Sequence, residues 1–431
     1  MFMFMKARTL TLPCLAFVGL FSAFSSLADI QFAGVNLSGA EFGSTFPGTF
    51  GSTYTYPTSA EVDYYRSRGM NIIRLPFRWE RLQHTNNVAL DSAELNRLTT
   101  FVNYATSNGM YVILDPHNYE RYYPPTSNIN SSSTKIIGGT DNPDSWFDDF
   151  WSRVATVFMA NNHVIFGLMN EPNTMQEAQL VTSLNLAITA IRATGATNLI
   201  LVPGNRWTGA WTWLNSDSQG QANSVAMLGI VDSGNNYAFE VHQYLDSDGS
   251  GTKTSIVSAT VGMERLANFT AWARANHVKG FLGEFAVPGL IVVGSGLGGP
   301  ALTNMLSYIR TNSDAWLGWT YWGGGPWWGT NALFLIEPAN INSPKDWPTM
   351  TAIRNFIPFP VLPLVPMSTN KFVFKTQSGF AYQPQVSTDL LSGSWSNFGP
   401  SITGTNGVTK TNTMQAGTGP AFYRIQINRT P

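Results

Sequence analysis

Short apolar runs alternate with longer amphipathic stretches from Phe32 to about Phe356. The apolar runs are 32–36, 71–75, 111–115, 164–168, 199–203, 237–242, 280–284 and 316–322. Each is too short for a helix of ordinary length and nearly continuous in apolar side chains, the pattern of parallel strands buried on both faces. Helix-period segments lie between them at 60–68, 92–107, 145–159, 175–193, 262–276, 301–311 and 349–356. Capping residues precede several of these, for instance Thr58-Ser59 and Asp91-Ser92. The link from Asn205 to Asn236 carries no long helical period and is expected to be loop-rich. Eight alternations predict a (β/α)8 barrel; a doubly wound open α/β sheet is the alternative.

The period changes after Asn355. Residues 357–366 hold four prolines in ten positions and read as a stiff, extended connector. Beyond it, strand-like runs such as Lys371-Phe-Val-Phe-Lys, Phe380-Ala-Tyr-Gln-Pro and Ala421-Phe-Tyr-Arg-Ile-Gln-Ile are separated by Gly, Ser and Asn turns, which predicts a small all-β, sandwich-like module. At the other end, Lys6 and Arg8 precede an apolar stretch from Leu10 to Phe24, followed by the small residues of Ser26-Leu27-Ala28. That order is a secretory signal with cleavage before Asp29; a retained anchor is the alternative. The expected division is therefore a signal at 1–28, a barrel at 29–356, a connector at 357–368 and a β module at 369–431.

Composition narrows the function classes. Charged residues are only 12% of the 431 and the formal net charge is −1, so nucleic acid is not an expected partner. The single cysteine, Cys14, lies inside the signal, which leaves the exported chain without disulfides or a thiol nucleophile. There is no His/Cys cluster to suggest a transition-metal site, and Asp246-Ser-Asp-Gly249 lacks the further ligands of a calcium loop and reads as a turn. No cofactor is expected. The 14 tryptophans exceed what a plain core favours, because each indole N–H needs a partner.

Candidate chemistry sits at strand ends. Glu171 follows the apolar run of His163-Val-Ile-Phe-Gly-Leu-Met-Asn-Glu-Pro172, and Glu284 ends Val278-Lys-Gly-Phe-Leu-Gly-Glu-Phe285. In a parallel barrel both carboxylates reach the C-terminal mouth, where two facing acids suit hydrolysis of a glycosidic bond. Arg74, His117, Asn170, His242, Tyr244 and Trp322 fall at the same level of other strands. Arg74 and Tyr244 are suited to donate to Glu284 and hold it ionised; Asn170 to bind a sugar 2-hydroxyl. His117 and His242 are suited to hold sugar hydroxyls or orient a carboxylate, and Trp322 offers a flat face to a pyranose. Trp207, Trp211, Trp213, Trp327 and Trp328 fall in loops after strands, as do Tyr119, Tyr122 and Tyr123. Some of these tryptophans are expected to stack on sugars, Trp207 and Trp211 among them, and the rest to pack the loops.

Asn170-Glu-Pro172, Asp115-Pro-His-Asn-Tyr119, Asn205-Arg-Trp-Thr-Gly-Ala-Trp-Thr-Trp213, His242-Gln-Tyr-Leu-Asp-Ser-Asp-Gly-Ser-Gly251, Gly283-Glu-Phe-Ala286 and Tyr321-Trp-Gly-Gly-Gly-Pro-Trp-Trp-Gly329 together resemble glycoside hydrolase family 5. The likeness runs from about Gly34 to Pro338 and is greatest to the family's secreted endo-β-1,4-glucanase branch, best known from fungal cellulases. The resemblance implies that Glu171 is the general acid/base and Glu284 the nucleophile, with retention of anomeric configuration. It also implies that Arg74, His117, Asn170, His242, Tyr244 and Trp322 fill the remaining active-site positions. Two departures stand out: the lack of disulfides, and Asn-Glu-Pro where Asn-Glu-Tyr is common in that branch. The second puts the loop after Glu171, on the leaving-group side, in question. The expectation is a secreted, monomeric cellulase, from a bacterial host to judge by disulfide-free export and the C-terminal module. The alternatives are the same chemistry on mannan, mixed-linkage glucan or xyloglucan, or a non-catalytic glycan-binding barrel. The C-terminal module is open to a glycan-binding, a surface-sorting or a stabilising role.

Overall fold

The computed structural model describes residues 5–7, 29–125, 127, 135–289, 296–330, 332–359, 365–368, 371–387, 395–405, 407–413 and 421–430. Most of the expected signal (save 5–7) and the centre of the connector lie outside them. The chain forms two units: one of Ile30–Tyr65 and Met70–Ile357, the other of Arg66–Gly69, Pro358–Pro431 and the N-terminal segment to Asp29.

The first unit is a closed barrel of eight parallel strands. In chain order they are β1 (Phe32–Leu37), β2 (Ile72–Phe77), β3 (Tyr111–Pro116), β4 (Val164–Gly167), β5 (Ile200–Pro203), β6 (Tyr237–His242), β7 (Gly280–Glu284) and β8 (Trp316–Gly324). Closure is made by β8 on β1, with Trp319 opposite Ala33 and Tyr321 opposite Val35. The doubly wound alternative is thereby excluded. Helices α1 (Ser59–Ser67), α2 (Ser92–Ser107), α3 (Asp144–Phe158), α4 (Glu177–Ala193), α5 (Val261–Ala275), α6 (Gly298–Thr311) and α7 (Pro348–Ile353) return the chain between strands or close it off. The expected caps form: the Asp91 side chain accepts from Glu94 N at 2.8 Å, and Glu61 reaches back to Thr58 N at 2.7 Å. Where a fifth long helix would lie, only the short helix Asn223–Ala226 and two 3-10 turns occur. Loop backbone fills that space instead.

Strand side chains alternate between the barrel axis and the outer helices. Phe32, Ile72, Ile113, Ile165, Leu201, Ala238 and Phe281 face inward and form the apolar floor. Two positions further along several of these strands the inward set becomes polar: Arg74, Asp115 and Glu240, all buried. The apolar floor thus supports a charged layer just beneath the mouth. Much of the tryptophan excess is structural. Trp79, Trp151, Trp213, Trp316 and Trp319 are fully buried, and Trp151 and Trp316 place their N–H groups on Leu168 O and Thr270 Oγ1.

The second unit is all-β. Phe380–Ser387 pairs along its length with Ala421–Arg429 in one antiparallel sheet, and Lys371–Lys375 pairs with Thr409–Thr413 in another. Phe374 and Tyr382, one from each sheet, are buried with ring centroids 5.7 Å apart. Val365–Ser368, inside the stretch read as connector, is a strand paired with Lys371–Val373. Met5–Ala7 pairs with Ala421–Tyr423. No helix of the described residues is long and apolar enough to cross a membrane.

Candidate active site

The site rises from the charged layer at the C-terminal ends of the strands. Arg74, on β2, has no exposed surface. Its Nη1 donates to Glu284 Oε1 at 2.9 Å and to Asn36 Oδ1 at 3.1 Å, and its Nη2 donates to Asn170 Oδ1 at 2.8 Å. Asp115 Oδ2 lies 3.0 Å from Nη1, and Glu240 Oε1 lies 2.7 Å from Nε. Burial works against its charge, but Asp115, Glu240 and Glu284 outweigh burial and hold Arg74 above its ordinary pKa. So enclosed, Arg74 is placed to orient the groups above it, and it makes the donation to Glu284 expected of it.

Glu284 ends β7, and its second oxygen, Oε2, accepts the hydroxyl of Tyr244 at 2.8 Å. Burial, with the charges of Glu284 and Glu171 added, raises Tyr244 well above its usual pKa, so the phenol remains a donor. Glu171 lies just beyond β4 with φ of 44°, a left-handed conformation uncommon for a residue with a side chain. Its Oε1 lies 2.7 Å from His242 Nδ1. The other ring nitrogen of His242 faces Glu240 Oε1 at 3.2 Å. With a carboxylate at each nitrogen, both carry protons. Burial disfavours that cation, yet Glu284, Glu171 and Glu240 raise His242 to about 10.

His117 is the opposite case. Its Nδ1 donates to Asp115 Oδ2 at 2.8 Å, while Nε2 accepts from Tyr119 OH at 3.1 Å and from Asn170 Nδ2 at 3.3 Å. Those partners suit the neutral ring. Burial, with Arg74 and Arg78 adding to it, lowers His117 to about 3. Trp322 stacks on His117, ring centroids 5.5 Å apart and planes 16° apart.

Above these groups opens a cleft of about 700 Å³. Tyr119, Glu171, Trp207, Trp211, His242 and Tyr244 are among its walls. Trp207 is 56% exposed and Trp211 45%, and Arg265 lies 4.1 Å from the Trp211 ring centre, beneath the indole. Trp207 stands on a left-handed turn in which Arg206, Trp207 and Thr208 all have positive φ. The turn is held by Arg206 on Asp217 and by Thr208 Oγ1 on Glu240 O at 2.5 Å. The other loop aromatics divide. Trp327 is exposed, Trp328 packs on Trp322, and Trp213 is buried against Phe239, Phe269 and Trp272. Tyr122 and Tyr123 are buried too, Tyr122 bonded to Gln83 O and His84 O and Tyr123 stacked on Phe46, so they belong to the loop framework and not to a sugar platform.

A carboxylate oxygen of Glu171, one of Glu284 and a ring nitrogen of His242 lie within 4.8 Å of one another. By donor type this trio could hold a metal ion, but each His242 nitrogen already faces a carboxylate and Glu284 is paired with Arg74 and hydrogen-bonded by Tyr244. The geometry is that of a proton network. Asp246 spends its carboxylate on the backbone N–H groups of Gly251, Thr252 and Lys253, as a turn residue does.

Two groups of the network, Glu240 and Asn36, were missed in the sequence, and a third, Asp115, was read only as part of a motif. Asn36 Nδ2 donates to Gly283 O and Thr320 O, tying β1 to β7 and β8. The signal for both was parity: an acid and an amide on the inward-facing positions of otherwise apolar strands.

The cellulase profile, described as glycosyl hydrolase family 5, matches residues 28–325. The chain is 41% identical to endoglucanase gh5-1 of Neurospora crassa over 308 residues, which is 71% of this chain and 72% of that protein. It is also similar to the endo-β-1,4-glucanase of Xanthomonas axonopodis pv. citri, at 44% identity and a TM-score of 0.70, covering 76% of this chain and 98% of that one. The structure of XacCel5A in complex with cellopentaose matches equally well, at 44% identity and a TM-score of 0.70, covering 76% and 99%. Fungal and bacterial proteins both stand among these relatives, so the expected bacterial host gains no support from them. Profile, relatives and barrel agree with the strand-end motifs, and the chain belongs to glycosyl hydrolase family 5, the cellulase family.

Proposed function

We propose that this protein is a secreted, retaining endo-β-1,4-glucanase. The observation that carries the mechanism is the spacing and support of its two strand-end acids. A carboxylate oxygen of Glu171 lies within 4.8 Å of one of Glu284. That separation is near the ~5–5.5 Å of retaining glycosidases and short of the ~6.5–9.5 Å that leaves room for an inverting water. Glu284, whose oxygens accept from Arg74 and Tyr244, is the nucleophile. Glu171, facing the cleft, is the acid/base.

In the first step a Glu284 oxygen bonds to the anomeric carbon as the glycosidic C–O bond breaks, and Glu171 passes to the departing oxygen the proton it shares with His242 Nδ1. In the second, Glu171 takes a proton from water, the water oxygen attacks the same carbon, and the ester to Glu284 breaks. Two inversions return the starting configuration. His242 supports both halves of the cycle, because the His242–Glu171 pair holds a proton across its 2.7 Å contact. Asn170, aligned by Arg74, presents its amide toward His117 and the sugar 2-hydroxyl side. His117, neutral and stacked on Trp322, closes the glycone floor.

Internal cleavage is supported by the open cleft and by Trp207 and Trp211 standing exposed along it. β-1,4-Glucan is the substrate favoured by the relatives, whose names are endoglucanases and one of which holds cellopentaose. Reducing-sugar release from cellulose, mannan, mixed-linkage glucan and xyloglucan tests the substrate; a rate highest on mannan or xyloglucan overturns it. NMR of the first product tests the mechanism, with β-anomer expected and α-anomer fatal to it. Viscosity of carboxymethylcellulose should fall before reducing ends accumulate.

Export rests on the 1–28 leader, and the test is the N-terminus of the mature protein, expected near Asp29. The β module is proposed to be dispensable for the chemistry, since every group named in the mechanism precedes Gly323. A chain truncated after Pro360 should keep its rate on soluble substrate; a large loss while still folded would sink the idea.

A further inference from the structure

Beside the proposed catalytic groups, Glu120 is a buried acid with several donors on its carboxylate. It has no exposed surface and sits in the loop after β3, next to Tyr119, which lines the cleft. Both residues have positive φ, 52° at Tyr119 and 63° at Glu120. The two side chains part: Tyr119 turns to His117, and Glu120 turns into the loop that follows Glu171. There Glu120 Oε2 accepts from Asn173 N at 2.8 Å and Met175 N at 3.1 Å. Oε1 accepts from Thr174 N at 2.7 Å and from the Thr174 hydroxyl, with Arg121 Nη1 at 3.2 Å. Three consecutive backbone N–H groups thus converge on one carboxylate, in the manner of an anion nest. The same loop is bonded back to the acid: Asn173 Nδ2 donates to Glu171 O at 3.0 Å.

We propose that Glu120 is a positioning residue for Glu171, fixing the left-handed backbone that aims the acid/base carboxylate at the leaving group. The inference rests on the acid/base reading of Glu171. The chemistry requires an anion at this point. All the partners of Glu120 are donors, so an amide in its place would turn an NH2 group toward backbone N–H groups. The nest would open and residues 171–175 would be free to shift. A displacement of about 1 Å at a reacting group is enough to cost on the order of 100-fold in rate.

The test is Glu120→Gln, read by the dependence of kcat/KM on leaving-group acidity in a series of aryl cellobiosides. A misplaced acid matters where the leaving oxygen needs a proton and not where it leaves unaided. The expected result is a fall of about ten-fold or more on cellobiosides with poorly acidic leaving groups, and a change of less than about two-fold on the dinitrophenyl compound. An equal loss across the series, or no loss, overturns the proposal. Thr174→Val, which removes the hydroxyl that donates to Glu120 and accepts from Arg121 Nη2 at 2.9 Å while leaving the three backbone N–H groups, should show the same trend more weakly, and it carries the test should the glutamine variant not fold. Glu171→Ala is the control. If it lacks the leaving-group signature, the acid/base reading itself fails. If it shows the signature and neither Glu120→Gln nor Thr174→Val does, only this inference fails.

Discussion

His242 Nδ1 stands 2.7 Å from Glu171 Oε1 and closes a chain of charges from the barrel axis to the cleft. Behind it, Glu240 Oε1 faces the other ring nitrogen at 3.2 Å and pairs with the Arg74 guanidinium at 2.7 Å, and burial of Glu240 is outweighed by those two cations, which lower its pKa. Three acids, Glu171, Glu240 and Glu284, surround the His242 ring and favour its protonated form.

One consequence is a pH dependence of stability. His242 is raised in the folded state from 6.5 to about 10. A raised group favours the folded protein when protonated, so its contribution is complete below about 6.5 and is lost as pH climbs through about 10. The melting temperature of the native chain should decline more steeply between those limits than that of His242→Gln. Parallel curves for the two proteins would rule out the cationic ring. His117 works in the other direction: lowered to about 3, it stabilises the neutral-pH fold and loses that contribution as pH falls from about 6.5 toward 3.

Tyr244→Phe removes the hydroxyl that bonds Glu284 Oε2 and little else. A hydrogen bond to a charged group is worth about 1.5–3 kcal/mol. With Glu284 as the proposed nucleophile, kcat should drop by about 10–150-fold, with KM changed little. A variant that raises KM alone would show that the phenol serves binding instead.

Gly283→Ala should destabilise the barrel. A Cβ there would come 2.1 Å from Glu240 Oε1, which cannot retreat from Arg74 and His242. Overpacking of this kind costs about 1–3 kcal/mol. Gly167→Ala, whose nearest contact would be 3.0 Å from an Ile113 methyl, should cost less. Urea midpoints of the two variants decide the order, and the reverse order would contradict this account of the axial glycines.

Trp207 and Trp213 lie in one nine-residue segment but face opposite ways. Trp207→Ala should leave the melting temperature nearly unchanged and weaken binding of long β-glucan, since the side chain is 56% exposed on the cleft wall. Trp213→Ala empties a fully buried site among Phe239, Phe269 and Trp272 and should cost about 3–5 kcal/mol. Equal effects on stability would refute the division.

The barrel was legible because its strands are buried on both faces. The run 237–242 lies between Asn236 and Gln243, and the run 280–284 starts after Lys279 and closes on its own Glu284; the observed strands Tyr237–His242 and Gly280–Glu284 have those limits. Glu171 and Glu284 were legible for the same reason, since a charged residue at the end of an apolar run in a parallel barrel has only the mouth to go to. Helix limits followed from caps such as Asp91.

The chain's own order of residues therefore determined the eight-fold alternation, the face on which the proposed chemistry lies and the identity of the strand-end groups. Only the closed tertiary structure decided which of them touch. Arg74, Asp115, Glu240 and Glu284 come from four strands, and the sequence holds no measure of the distance between strands that pair only once the barrel closes. Glu240 was hidden inside a strand, and its direction is fixed by the pleat of neighbours on both sides. Glu120 was hidden in a loop, where no period marks it and where its value lies in three amides more than fifty residues away. Local pattern is written by the alternation of apolar and polar side chains along one segment; the proton network depends on distances across the barrel axis, and those exist only after folding.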